Sequence, residues 1–127
     1  MSSIETLPVP EMENVEISVP GPDLVKLAGT IASKDPDEQL APFFRRIHEL
    51  VCAGGGKTLK VDVSGLTFVN SSAIRLFVDW ATWIKKEPPG RSYELRFLTD
   101  RSITWQRTSF TALQSLAKGV VAVQSVN

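Results

Sequence analysis

Two hydrophobic periods alternate along this chain, and that alternation limits the folds open to it. Val15, Ile17 and Val19 are separated by polar residues, the two-residue period of a strand. Leu24, Val25, Leu27, Ala28 and Ile31 form a second strand. Pro20-Gly21-Pro22-Asp23 turns the chain between them, a gap of about four residues that suits a hairpin. Leu40, Phe43, Phe44, Ile47, Leu50 and Val51 then recur at three- and four-residue steps, which is the stripe of an amphipathic helix. Asp35 suits its N-cap, Pro36 its first position, and Asp37 and Glu38 the positive end of its dipole. Pro42 falls inside the stripe, so the first turn is either kinked or separate, and Gly54-Gly55-Gly56 ends the helix.

Leu59, Val61 and Val63 alternate as a central strand bounded by Ser64-Gly65. After Leu66-Thr67-Phe68-Val69 the period becomes helical at Asn70-Ser71-Ser72, and this second helix runs to about Lys86, where Pro88-Pro89-Gly90 stops it. Tyr93, Leu95 and Phe97 alternate as a fourth strand. Asp100 and Ser102 are candidate caps for a third helix carrying Ile103, Phe110, Leu113, Leu116 and Ala117 on one side. Gly119 ends it, and Val120, Val121 and Val123 form a last strand. The predicted order is β-β-α-β-α-β-α-β. That is an α/β fold with a mixed, mostly parallel sheet, the first strand antiparallel to its neighbour, and helices packed on the sheet. Residues 1–13 have no useful period and are expected to be a flexible N-terminal tail. Residues 14–127 are expected to form a single domain, and the chain of 127 residues is long enough to bury a core without disulfides or metal.

Lys plus Arg equals Asp plus Glu at 14 each, which lacks the basic excess of a nucleic-acid binder. Cys52 is the only cysteine, so no internal disulfide forms, and Met1-Ser2-Ser3-Ile4-Glu5 does not open a signal peptide. No apolar run approaches the roughly 18 residues of a membrane span. The expected place is the cytoplasm, with neither nucleic acid nor membrane as partner.

Enzymatic chemistry has little to stand on. Gly56-Lys57-Thr58 looks like the tail of a phosphate-binding loop, but that loop needs a glycine where Val51 stands, and here a strand follows the turn rather than preceding it. His48, the only histidine, and Cys52 share a helix face; two ligands are too few for a closed metal site, no third is evident nearby, and a half-buried packing role is expected. Asp62 points opposite to Val61 and Val63, either as a polar strand-end group near the next loop or as an exposed one. No carboxylate pair stands out for acid–base work. No cofactor and no metal is expected.

Asn70-Ser71-Ser72 is the place of interest. Asn and Ser there serve as N-caps, accepting from orphan backbone amides. A helix N-terminus also receives anions well, and a phosphoryl group on Ser71 would add roughly −1.5 to −2 charges there. Along the helix that follows, Ile74, Phe77, Val78, Ala81 and Ile84 gather on one side as core, and Arg75, Asp79, Thr82 and Lys86 opposite. Leu76, Trp80 and Trp83 lie between, either extending the core or forming an exposed apolar strip for a partner.

The stretch Lys60-Val61-Asp62-Val63-Ser64-Gly65-Leu66-Thr67-Phe68-Val69-Asn70-Ser71-Ser72-Ala73-Ile74-Arg75 resembles the central strand, loop and helix of the STAS domain, the anti-sigma factor antagonist family. The usual family loop reads Asp-Ser-Ser/Thr-Gly; here Asn70 stands for the Asp and Ala73 for the Gly. Asn70-Ser71-Ser72-Ala73-Ile74-Arg75 is closer to the branch typified by the SiaC biofilm regulators, whose loop reads Asn-Thr-Ser-Ser-Ile-Lys. The resemblance covers residues 15–124 in element order, and its specific part lies in 60–85. It implies a non-enzymatic partner-switching protein. Ser71 would be phosphorylated by a partner kinase, of the anti-sigma or SiaC-partner type, and restored by a PP2C-type phosphatase. Asn70, Ser72 and Ala73 would shape the switch loop, and a diguanylate cyclase joins the partners. The partner would dock on Arg75, Leu76, Asp79, Trp80 and Trp83 while Ser71 is unphosphorylated. The alternative is a STAS-like scaffold or ligand-binding module with no phosphoswitch.

Overall fold

A computed structural model describes residues 3–54 and 57–126. Strands β1 (Val15–Gly21) and β2 (Leu24–Ile31) form a hairpin closed by Pro22 and Asp23, and helix α1 (Asp37–Ala53) follows. Then come β3 (Thr58–Val69), α2 (Ser71–Lys85), β4 (Glu94–Thr99), α3 (Thr104–Leu116) and β5 (Val121–Ser125). The five strands lie in the sheet in chain order, β1 antiparallel to β2 and the rest parallel. This is the expected mixed α/β architecture.

Strands laid down in chain order, joined by right-handed crossovers, put every helix on the same face of the sheet. The aromatic contacts agree. Phe44 of α1 lies 5.7 Å from Phe77 of α2, Phe77 is 5.4 Å from Phe97 of β4, and Phe97 is 4.6 Å from Phe110 of α3. Val25, Leu27, Leu59, Val61, Val63, Leu95 and Phe97 face these helices and are buried. The alternate strand positions, among them Lys26, Lys60, Asp62, Glu94 and Arg96, line the opposite face and keep contact with solvent. Among the described residues no helix is long and apolar enough to cross a membrane.

Several sequence expectations change. Part of the segment before β1 is tied down rather than loose: Ile4–Thr6 form a 3-10 turn, and Ile4, 2% exposed, joins the core. Asp35 does not cap α1 through its side chain. Pro36 takes the cap position, and the Asp35 carbonyl accepts from Glu38 N at 3.2 Å. α1 runs through Pro42 unbroken, because both Pro42 and Glu38, the residue whose carbonyl loses its helical donor, are on the exposed side. The helix ends at Gly54; Gly55 and Gly56 lie outside the described residues. At α3, Asp100 Oδ1 accepts from Ser102 N (2.9 Å) and Oγ (2.7 Å) in a turn ahead of the helix, while Ile103 holds the cap position. Leu116, placed on the core side by its spacing, is 71% exposed, since at about 100° per residue it falls outside the buried arc of Phe110, Leu113 and Ala117.

The largest departure is in β3. It does not stop at Ser64-Gly65 but continues to Val69, and its pairing with β2 slips twice. Lys26 pairs with Asp62 and Ala28 with Gly65, so β3 spends one residue more than β2. Gly29 then pairs with Leu66 and Thr30 with Phe68, a second extra residue. Gly65 sits where a Cβ would come within 2.9 Å of the Ala28 Cβ, so the backbones approach there as only glycine allows.

Candidate functional site

The site grows from the far end of β3. Pairing with β4 ends at Asp62 and Leu98, leaving the β4-side carbonyls beyond it without a ladder. Side chains from the start of α3 take them up. Gln106 is buried, and its Nε2 donates to the carbonyls of Val63 (2.9 Å), Ser64 (3.2 Å) and Leu66 (2.7 Å), while its Oε1 accepts from Asp100 N at 2.8 Å. Trp105 Nε1 donates to Thr67 O at 2.9 Å. Asp62 accepts from Ser64 N (3.0 Å) and Oγ (2.6 Å), so it shapes the bend in β3.

Beyond this bend the chain enters α2 through Asn70, which is bonded on every side. Its N–H donates to Ile31 O (2.9 Å) and its Nδ2 to Ser33 O (2.8 Å); its Oδ1 accepts from Ala73 N (3.0 Å) and its carbonyl from Ile74 N (3.2 Å). The cap is as expected, and the Ser33 bond explains why an amide stands here: an aspartate would cap equally well but set a carboxylate oxygen against a carbonyl oxygen. Asn70 thus occupies the amides of Ala73 and Ile74. Ser71 and Ser72, both exposed, begin the helix with their amides at its positive end. Ala73 is buried under them.

The surface around Ser71 differs from the expected one. Leu76 and Trp80 do not form an exposed strip. Both are buried, Trp80 completely, because α1 lies over this side of α2. Trp80 stacks on Phe44 with centroids 4.5 Å apart and donates from Nε1 to Tyr93 Oη at 2.8 Å. That removes these two residues from any docking face. Trp83 is half-buried under the Arg45 guanidinium, 5.1 Å from its ring, Asp79 is half-buried, and Arg75 is exposed. The apolar group that does face solvent near Ser71 is Phe68, 51% exposed. Two-residue spacing from buried Leu66 would turn it inward. The second slip of β3 reverses the phase and turns it out, and Gly65 in mid-strand is the sequence mark of such a bulge.

His48 and Cys52 are fully buried rather than half-buried as expected, because α2 and the segment after it close over them, and a third group joins them. Glu87, just past α2, brings Oε2 to 3.1 Å from His48 Nε2. Tyr93 Oη lies 2.9 Å from His48 Nδ1. Trp80 Nε1 only donates, so the Tyr93 hydroxyl proton is left for His48 Nδ1, and His48 carries its own proton on Nε2 toward Glu87. Burial holds the His48 imidazole below its ordinary value, against the pull of the Glu87 hydrogen bond. Burial likewise pushes the Cys52 thiol up and the Tyr93 phenol well above its usual range, and the His48 hydrogen bond lowers Glu87.

No protein-family model matches the sequence, and no curated protein matches it. Solved structures do. SiaC of Pseudomonas aeruginosa aligns over 98% of this chain and 99% of its own, at 20% identity and a TM-score of 0.68. A chain in the crystal structure of the diguanylate cyclase SiaD in complex with its activator SiaC, also from Pseudomonas aeruginosa, aligns over 81% of this chain and 84% of its own, at 19% identity and a TM-score of 0.61. An anti-sigma factor antagonist from Mycobacterium paratuberculosis covers 85% of this chain and 83% of its own at 14% identity, with a TM-score of 0.49. Identities of this order speak to fold alone, and the fold is the STAS-like α/β arrangement that this chain has in common with SiaC.

Proposed function

We propose that this protein is a non-enzymatic cytoplasmic switch that binds a partner protein when Ser71 is unmodified and releases it when Ser71 is phosphorylated. The observation that carries this reading is the position of Ser71. It is exposed at the first turn of α2, held in register by Asn70, and three residues from the exposed ring of Phe68. Phe68 offers apolar area that a partner would bury, and Ser71 and Ser72 offer small polar groups beside it. A phosphate on Ser71 would place its charge on the positive end of α2, where it is stable, with Arg75 one turn further along the same face. The domain would keep its fold while the docking surface became anionic and costly to desolvate.

The fold shared with SiaC, whose recorded complex is with the diguanylate cyclase SiaD, favours a diguanylate cyclase as the partner. A dedicated kinase would load Ser71 and a PP2C-type phosphatase clear it. The docking face on this reading comprises Phe68, Ser71, Ser72 and Arg75, with Asp79 and Trp83 at its margin.

The test maps phosphate on the protein isolated from its own cells and measures cyclase binding by Ser71→Ala and Ser71→Asp. Phosphate on Ser71, with binding kept by the alanine variant and lost by the aspartate variant, is expected. An unmodified Ser71 under every growth condition, together with equal binding by both variants, would overturn the switch and leave a passive scaffold.

A further inference from the structure

The sequence holds one histidine and one cysteine, and the fold delivers a carboxylate to both. His48 and Cys52 sit one turn apart on α1. Glu87 reaches them from beyond the end of α2, so the three side chains bridge two helices. Cys52 Sγ is 3.7 Å from His48 Nε2, His48 Nε2 is 3.1 Å from Glu87 Oε2, and the three atoms all lie within 4.8 Å of one another. Ligand atoms on a tetrahedral zinc ion, bonded at about 2.0–2.3 Å, are about 3.3–3.6 Å apart. Cys52 Sγ is also 3.9 Å from His48 Nδ1, so it stands beside the ring rather than off its Nε2 edge, and Glu87 Oε2 now takes the Nε2 proton. Turns of the His48 and Cys52 side chains and a swing of the Glu87 carboxylate would set the three around one ion without moving the helices.

The surroundings are those of a supported ligand set. Tyr93 Oη stands at His48 Nδ1, the nitrogen that would not bind metal, and Arg91 Nε holds Glu87 Oε1 at 3.2 Å, leaving Oε2 to the centre. His48 and Cys52 are 1% and 3% exposed, and the Glu87 side chain, at 21%, is the way in from solvent.

We propose that His48 Nε2, Cys52 Sγ and Glu87 Oε2 form a zinc site that fastens α1 to α2, with water in the fourth position. Binding moves the His48 proton from Nε2 to Nδ1, where it is donated to Tyr93 Oη while the Tyr93 hydroxyl turns its own proton away from the ring, and releases the Cys52 thiol proton to solvent. One proton leaves for each ion bound. The ion's charge overcomes the burial that otherwise keeps the thiol protonated. Nitrogen, thiolate and carboxylate together suit zinc better than magnesium or calcium, which take oxygen alone. The site is independent of any chemistry at Ser71.

The experiment titrates cobalt(II) into chelator-stripped full-length protein and follows absorption, then displaces the cobalt with zinc. Expected is one equivalent bound with a thiolate-to-cobalt band, which with one cysteine in the chain comes from Cys52, and loss of that band on adding zinc. Cys52→Ala should abolish the band. Glu87→Gln, which keeps shape and a hydrogen bond to His48, should weaken binding by more than tenfold. Arg91→Ala, at a half-exposed side chain outside the ligand set, should weaken it about tenfold. Cobalt binding without a thiolate band, or no binding by the folded protein, would overturn the site and leave His48, Glu87, Tyr93 and Trp80 as a hydrogen-bonded buttress only.

Discussion

Asn70 concentrates more of the local structure than any other residue of the loop. Its side chain caps α2 through Ala73 N and reaches back to Ser33 O, so one amide fixes both the helix start and the chain leaving β2. Asn70→Ala should cost about 2 kcal/mol of unfolding free energy, roughly 1 for the cap and 1 for the Ser33 bond, measured by the midpoint of urea denaturation. Asn70→Asp keeps the cap and favours the helix dipole but cannot donate to Ser33. It should stay within about 1 kcal/mol of the parent protein. A larger loss for aspartate than for alanine would show that repulsion at Ser33 dominates. The cap was readable from residue type and position. The donor role was not, because Ser33 lies far from Asn70 in sequence and meets it only through the parallel pairing of β2 and β3.

Among the elements, β3 shows what periodicity can and cannot reveal. Its buried half, Leu59, Val61 and Val63, follows the two-residue rule, and so do the strands on either side. The half beyond Asp62 breaks phase twice, and each break reassigns which side chain faces solvent. Phe68 was hidden for that reason, and so was the role of Gln106, a polar residue on a helix that composition would assign to solvent. Gln106→Leu should cost about 3 kcal/mol, since it removes the side-chain donor to the carbonyls of Val63, Ser64 and Leu66. Hydrogen exchange should then quicken in residues 63–70 before it does in β4. Equal protection in the variant would mean that Trp105 and water suffice there. The stripe of α2 misled in a related way: Leu76, Trp80 and Trp83 form one line on the helix, but α1 covers the first two and only partly shields the third. A helical wheel gives the angle of a side chain, not the neighbour above it.

For the molecule as a whole, one-sided packing is the governing fact. Core residues on the helix side and polar residues on the other should respond differently to truncation. Phe97→Ala, which empties the space between Phe77 and Phe110, should cost about 3–5 kcal/mol. Lys60→Ala on the open face should change stability by less than about 0.5 kcal/mol. Thermal or urea denaturation of the pair distinguishes them, and a comparable loss in both would mean that the open face is covered by another surface in solution. Element order and sheet direction were legible because each of the five strands and three helices carries at least one stretch of its own period; the meeting of distant residues at Glu87, Ser33 and Gln106 was not. The same strand order also bears on how the chain reaches its native state. No hydrogen-bonded pair of strands has more than one helix between its members in the sequence. A chain emerging from the ribosome can therefore zip up from its amino end, each new β-α segment docking on the edge just completed, with no early strand left waiting for a late one to be inserted beside it.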